Sequence, residues 1–404
     1  MSVANVDIPP ILAAEQVRAA FVANRSSPPG GLVAERIGSR LAFLRLYHDW
    51  HDLLENSKSR ELFLTWEWMS AWWQHLSEGR CMRLIALWRR EELVALAPLM
   101  RKRWPFSPLE LLGTGSVGSD YLDIIVRDGC EEEVLEALAK HVTVRRRALV
   151  LGQLAAGESF ARRLAARLVG RGWHQSATTT NVCPIVRLEQ PTFEDYIASL
   201  GPRHRQNFRA RCRKLQQRYA VSFALAGTDQ ERREALEDLL VLHFKRWQER
   251  GGSDAFHTRS LRDFHEELSR EALERGWLRL FLMRLDGRPA AAVYGFRFGH
   301  RFLYYQAGFD PALADRGVGL VMAGLVIRHC MEEGVTEFDF LHGEEPYKYL
   351  WAGERRTLEC LRLYPPGMSG RLRRSAGELK RRARRMARKL LDRALARRQR
   401  EGRP

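Results

Sequence analysis

One order of elements occurs twice in this chain, and the repetition limits its architecture more than any single motif does. In the first half, 63–76 reads as an aromatic-rich helix. Strands follow at 82–88 and 93–100 around the turn Arg89–Glu92. Residues 109–112 are short and apolar, 121–126 suits a strand, 131–142 a helix, 148–151 a buried strand and 159–171 a second helix. The second half has helices at 193–200 and 203–219, a strand at 221–225, and helices at 231–250 and 258–275. Strands at 277–285 and 290–298 flank the hairpin signal Asp286-Gly287, and Gly299-His300 turns into 301–307. A helix at 318–333, a buried strand at 337–341 and a last strand at 357–364 complete it. Meandering strands, then a helix, then another strand describe a duplicated α/β (α+β) unit. Each copy is expected to be a mixed, mostly antiparallel sheet flanked by helices. The chain therefore divides into a loosely ordered segment 1–40, a domain 41–190, a domain 191–366 and a tail 367–404.

A length of 404 residues agrees with two domains and a tail. No apolar run approaches the ~20 residues of a membrane-spanning helix. The net charge is +17, but residues 371–404 hold 15 Lys/Arg against 3 Asp/Glu. The remaining body is thus near neutral, and the high isoelectric point says little about what it binds. The tail carries Leu372, Leu379 and Met386 at heptad spacing among arginines. Such a basic amphipathic stretch suits an anionic membrane surface, nucleic acid or a solvated state. It has no aromatic residue to stack on bases, which disfavours nucleic acid. Six scattered cysteines with no CxxC, and an N-terminus without a basic start and apolar core, predict a cytoplasmic protein, with peripheral contact at the inner membrane surface as an option.

The helix starts of the two halves differ in chemistry. Asp315-Arg316-Gly317-Val318-Gly319-Leu320 puts two glycines and an arginine at a helix N-terminus, where free N–H groups suit a pyrophosphate. Asp128-Gly129-Cys130-Glu131-Glu132-Glu133 puts carboxylates there, which would repel one. Only the second half is expected to hold a phosphorylated donor.

Three stretches carry a resemblance: Phe63-Leu64-Thr65-Trp66-Glu67-Trp68 with Ala71-Trp72-Trp73; the basic helix from Arg203 to Leu215; and Phe338-Asp339-Phe340-Leu341-His342-Gly343-Glu344-Glu345-Pro346-Tyr347-Lys348 with Trp351. The chain resembles the GNAT acyltransferase superfamily. It is more closely similar to the CelD-like acetyltransferases of bacterial polysaccharide operons, relatives of the Fem-type peptidyl transferases. The resemblance implies two tandem GNAT-like domains, the second holding acetyl-CoA or another acyl-CoA, with no metal. The acyl group would pass directly to an amine or hydroxyl of a small acceptor, such as an anionic sugar or a lipid-linked envelope-polysaccharide precursor. Aminoacyl-tRNA, the Fem donor, is the alternative, and a non-enzymatic membrane-surface or nucleic-acid binding protein is a third reading.

The resemblance also distributes roles. Arg316, Gly317, Val318 and Gly319 match the pyrophosphate loop. The thioester carbonyl would lie against the strand Tyr304–Gly308, which makes Tyr305 and Gln306 donor-site residues. Asp339 alternates with Phe338 and Phe340 and so faces away from both, either into a cleft as base or ligand or into an ion pair. His342 has the right ordinary pKa for a base. Tyr347 suits a general acid and Lys348 an anion ligand, against a solvated surface lysine. Glu344 is a candidate for acceptor binding. Phe208, Cys212, Leu215 and Tyr219 share one helical face, so Arg205 and Arg209 lie on the other, solvated or in contact with an anionic acceptor.

Overall fold

The computed structural model describes residues 31–115, 117–248 and 256–368, with isolated positions beyond. Most of the expected lead-in lies outside these residues, and of the tail's apolar positions Leu372, Leu379 and Met386 are described and exposed. Structure starts at β1 (Val33–Ile37), ahead of position 41. Then come α1 (Arg40–Arg45), α2 (Tyr47–Glu55), α3 (Trp66–Leu76), β2 (Arg80–Met82), β3 (Leu84–Arg89), β4 (Glu92–Ala97), β5 (Leu99–Lys102), β6 (Leu109–Leu111), β7 (Ile125–Val126), α4 (Glu131–Arg145), β8 (Leu149–Ala155), α5 (Phe160–Gly170) and β9 (His174–Arg187). The second half contains α6 (Phe193–Ser199), α7 (Pro202–Arg218), β10 (Val221–Leu225), α8 (Asp229–Gln248), α9 (Arg259–Glu274), β11 (Leu278–Leu285), β12 (Arg288–Phe298), β13 (Arg301–Phe309), α10 (Val318–Glu332), β14 (Glu337–Asp339) and β15 (Glu354–Tyr364).

Local chemistry sets many of these boundaries. Ser39, Thr65, Ser159, Thr192 and Thr258 each accept a backbone N–H in the first turn of the helix they precede. Pro98 has no N–H to give a ladder, and the strand expected over 93–100 divides there into β4 and β5. The strand expected over 82–88 divides at Arg83. The two pieces go to different sheets, a four-stranded one (β1-β3-β4-β7) and an eleven-stranded one (β10-β11-β12-β13-β14-β9-β15-β8-β6-β5-β2).

Each half contains one parallel crossover through a helix: β6 to β8 through α4, and β13 to β14 through α10. Every other strand pairing is antiparallel, so the repeated order is a repeated topology among the described residues. The large sheet runs through both halves, because β15 lies between β8 and β9 while β9 also pairs with β14. The boundary read at 190/191 falls between β9 and α6 along the chain, but the sheet continues across it. Trp68 of α3 seals the same seam from above. Its ring meets Phe264, Phe296 and Tyr305 edge-on, and its indole N–H donates to Ser119.

Candidate active site

The ladder between β13 and β14 is short. It pairs Arg301–Leu303 with Glu337–Asp339 and no further, so the two strands part beyond Leu303. A register shift against β12, where Tyr294 faces Gln306 but Gly295 faces Tyr304, marks Tyr305 as a bulge residue. The parting opens a cavity of about 470 Å³ whose lining includes Tyr304, Gly308, Gly317, Gly319, Arg211 and Tyr347. The N-terminus of α10 faces it. Gly317 is in the left-handed region (φ +76°), and the first intrahelical bond is that of Val321 N–H to Gly317 O, 3.0 Å. The amides of Val318, Gly319 and Leu320 precede that bond, which is the arrangement that binds phosphate oxygens.

The basic charge at this mouth comes from α7. Arg211 lays its stem over Gly317, where a Cβ would meet Arg211 Cδ at 3.0 Å, and its guanidinium bonds the carbonyl of Asp315. Asn207, one turn earlier, lines the same wall. Arg316 is exposed and outside the lining, and the Val318 side chain is buried in the core. Gln306 is also outside the lining. Tyr305 turns the opposite way, its hydroxyl bonded to Val117 O and its ring against Trp68. Arg205 caps α6 through Ala198 O (2.7 Å), and Arg209 pairs with Glu194 (3.1 Å). Residues 207 and 211 are one turn apart on a stripe of α7 that neither Arg205 nor Arg209 occupies.

A second cavity, about 430 Å³, lies on the first-half side of the same loop. Its lining includes Glu110, Gln153, Thr180, Asn181, His342 and Arg362. His342 is held there by Asp120, which is fully buried. The carboxylate lies 2.9 and 3.1 Å from His342 Nδ1 and also accepts the His342 backbone N–H at 2.9 Å. Gln153 donates to its other face at 3.0 Å and itself accepts from Asn181 at 3.3 Å. The bond to Asp120 fixes Nδ1–H, so Nε2 is the nitrogen left to accept a proton. Burial pushes the imidazole down, but the charge and hydrogen bond of Asp120 outweigh it and hold His342 above its ordinary pKa. Gly118 (φ +66°) makes the space, since a Cβ there would stand 2.6 Å from His342 Cε1.

Backbone strain concentrates at this pair. Six non-glycine residues among those described have positive φ. Arg90, Arg146 and Asp286 do ordinary turn and cap work. Tyr121 follows Asp120, Leu341 precedes His342, and Gln153 bonds Asp120. Strain of this kind, on the order of 1–3 kcal/mol each, gathers where geometry serves chemistry. The strand expected over 121–126 is accordingly reduced to Ile125–Val126, because Tyr121 leaves the extended region.

Asp339 enters neither cavity lining. It is fully buried and accepts from Tyr121 Oη (2.5 Å) and Leu341 N (2.7 Å), with Arg356 at 3.4 Å. Burial pushes it up to about 6, against the pull of those partners. Lys348 is buried rather than solvated, and its Nζ ties Glu345 (2.9 Å) to His342 O (3.0 Å). It thereby fixes the loop whose residue 342 lines one cavity and whose residues 345–347 line the other. Glu344 is exposed, 3.5 Å from Tyr349 Oη. Sequence reasoning missed Asp120, Gly118 and Gln153. The available signal was a run of glycines (113, 115 and 118) ending two residues before the carboxylate of Asp120. Among the described residues, no group of three or more His, Cys, Asp or Glu could hold a metal ion.

Residues 202–349 match the model of the acetyltransferase (GNAT) domain family. No curated protein matches the chain in sequence. Among solved structures, the chain is similar to FemX at 13% identity and a TM-score of 0.55, over 82% of this chain and 97% of that one. It also aligns with L-PGS from Bacillus licheniformis (12%, TM-score 0.48, 79% and 91%). A third match is a tandem GNAT protein from the clavulanic acid biosynthesis pathway (11%, TM-score 0.45, 83% and 100%). The family match gives residues 202–349 a GNAT-like fold, and the likeness to FemX is one of fold.

Proposed function

We propose that this chain, an acyltransferase carrying a GNAT domain over 202–349, moves an acetyl or longer acyl group from acyl-CoA to a hydroxyl or amine of a sugar-type acceptor. Such an acceptor would belong to a polysaccharide precursor, as in the CelD-like enzymes. The observation that carries the reading is the shared loop. His342, backed by Asp120, stands in a polar cavity, and five residues later Tyr347 lines the cavity below the α10 N-terminus.

Acyl-CoA, when bound, supplies an activated thioester. The chain's residues would do the rest. Amides of Gly319 and Leu320, with Arg211, would hold the pyrophosphate, and the edge of β13 where it leaves β14 would receive the carbonyl. Gln153, Asn181, Thr180 and Arg362 offer the mixed donors and acceptors that a polyhydroxylated acceptor needs. His342 Nε2 would take the acceptor proton as the new bond to the acyl carbon forms. The C–S bond breaks, and the thiolate is protonated from the side of Tyr347.

Isothermal titration with acetyl-CoA and longer acyl-CoAs tests the donor half. Binding with micromolar affinity is expected, weakened roughly tenfold or more in Arg211→Ala. Absence of heat with every acyl-CoA would remove the donor assignment. His342→Ala should bind the donor as the wild type does and yet fail to transfer.

A further inference from the structure

A third cavity, about 160 Å³, is lined by five arginines, Arg36, Arg83, Arg101, Arg145 and Arg147, together with His141 over a floor of Ile85, Leu109 and Val142. They come from separate places: β1, the break between β2 and β3, β5, the last turn of α4 and the loop after it. No carboxylate lines the cavity. None of the five arginines is ion-paired to a described carboxylate, whereas Arg163 and Arg167 of α5 pair with Glu132 and Glu136. Burial and then the neighbouring Arg101, Arg36 and Arg147 hold Arg83 below its ordinary value. Burial and then Arg145 and Arg36 do the same to His141. Uncompensated like charge gathered in one recess is a place for a multiply charged anion, with guanidinium forks suited to phosphate. The recess is separate from the candidate active site: on β6, Leu109 lines it while Glu110 lines the cavity of His342.

The rim of this recess is apolar and exposed. Trp104 is 70% and Phe106 67% exposed, and Val144 on α4 is 75% exposed. These are not loose ends. Arg147 donates to Pro105 O (2.8 Å), Arg101 to Trp104 O (3.3 Å) and Ser107 Oγ to Trp104 O (2.8 Å), so two arginines of the recess fix the turn that presents the rings. Arg146, between two arginines of the recess, donates to Pro366 O at 2.9 Å, which ties the residues after β15 to the loop that follows α4.

We propose that this face docks on an anionic bilayer, with an anionic phospholipid phosphate seated among Arg36, Arg83, Arg101, Arg145 and Arg147. Trp104 and Phe106 enter the interfacial layer, where tryptophan is favoured for its apolar ring and polar N–H. The charges draw the face to the surface, and the rings hold it there after salt screens the long-range attraction.

The test is flotation of the full-length protein with phosphatidylglycerol/phosphatidylcholine vesicles and with pure phosphatidylcholine vesicles, at 0.15 M salt. Binding to the anionic vesicles alone is expected. Arg145→Glu and the double variant Trp104→Ser/Phe106→Ser, both at exposed positions and both retaining the tail, should each weaken it on the order of tenfold. Acetyl-CoA binding should be unchanged, which separates this proposal from the proposed function. Wild-type flotation by both variants would overturn it, because the tail alone would then suffice. Pyrophosphate raising the Tm while the aromatic variant floats like wild type would also overturn it and make the recess a soluble-phosphate site. Tighter retention on single-stranded RNA than on anionic vesicles, lost in Arg145→Glu, would overturn it in favour of nucleic acid.

Discussion

At the scale of single residues, the pair Asp120–His342 sets the strongest expectations. His342 must be neutral at Nε2 to accept a proton, and Asp120 holds it above its ordinary value of about 6.5. Acyl transfer should therefore rise with pH through a midpoint above that value. Asp120→Asn should lower kcat by 10²–10⁴ and move the acidic limb of the pH–rate profile downward. An unmoved limb would mean that another group titrates. Gly118→Ala puts a methyl at 2.6 Å from His342 Cε1 at a left-handed φ, so kcat should fall roughly 10²-fold while acyl-CoA affinity stays. Asp339 acts on stability instead. Folding raises it to about 6, so it contributes stability below its unfolded value near 3.9, and this is lost as pH climbs through 6. Asp339→Asn should flatten that decline in denaturant midpoints measured from pH 4 to 7. An unchanged slope would assign the decline to Asp123, which burial also raises to about 6.

At the scale of elements, legibility followed periodicity. Helices α9 and α10 and the hairpin β11–β12 are plain in the sequence because their apolar spacing and the Asp286-Gly287 turn act locally. The fourteen residues of β9 were not read as a strand at all. His174–Arg187 holds three threonines and Pro184, and its burial alternates poorly, because its stability comes from pairing with β14 and β15, which lie 150 residues or more away. The site divided in the same way. Gly317, Gly319, Tyr347 and His342 were legible from spacing and motif, whereas Asp120 becomes a partner of His342 only through a contact 222 residues long. Small residues reveal the element packing that sequence spacing hides. A Cβ at Gly324 of α10 would meet the Phe208 ring of α7 at 2.3 Å and Trp351 at 3.0 Å. Gly324→Ala should cost about 1–3 kcal/mol and, by pushing α7 outward, carry Arg211 away from the donor cavity. Chemical denaturation read beside acyl-CoA titration checks both effects. Loss of stability with unchanged affinity would unlink α7 from the donor.

At the scale of the whole molecule, the two halves repeat a topology but do not stand apart. β15 belongs to the second half by sequence, yet it makes its ladders with β8 and β9 of the first. Tyr121 bonds Asp339, Arg301 pairs with Glu61, and Arg275 pairs with Glu67, so hydrogen bonds and charges cross the seam as well. The pair proposed for proton transfer is itself split, Asp120 from one half and His342 from the other. A chain joined in this way should unfold as one unit, because the eleven-stranded sheet is divided between the two halves. Urea transitions followed by tryptophan emission, which weights the Trp-rich first half, and by circular dichroism should coincide. Residues 31–190 expressed alone should lack a cooperative transition, since β8 loses β15 and β9 loses both its neighbours. Two separated transitions, or a cooperatively folding 31–190 fragment, would show that the strand exchange is dispensable. The reaction centre would then sit at a contact between independent domains rather than inside one continuous sheet.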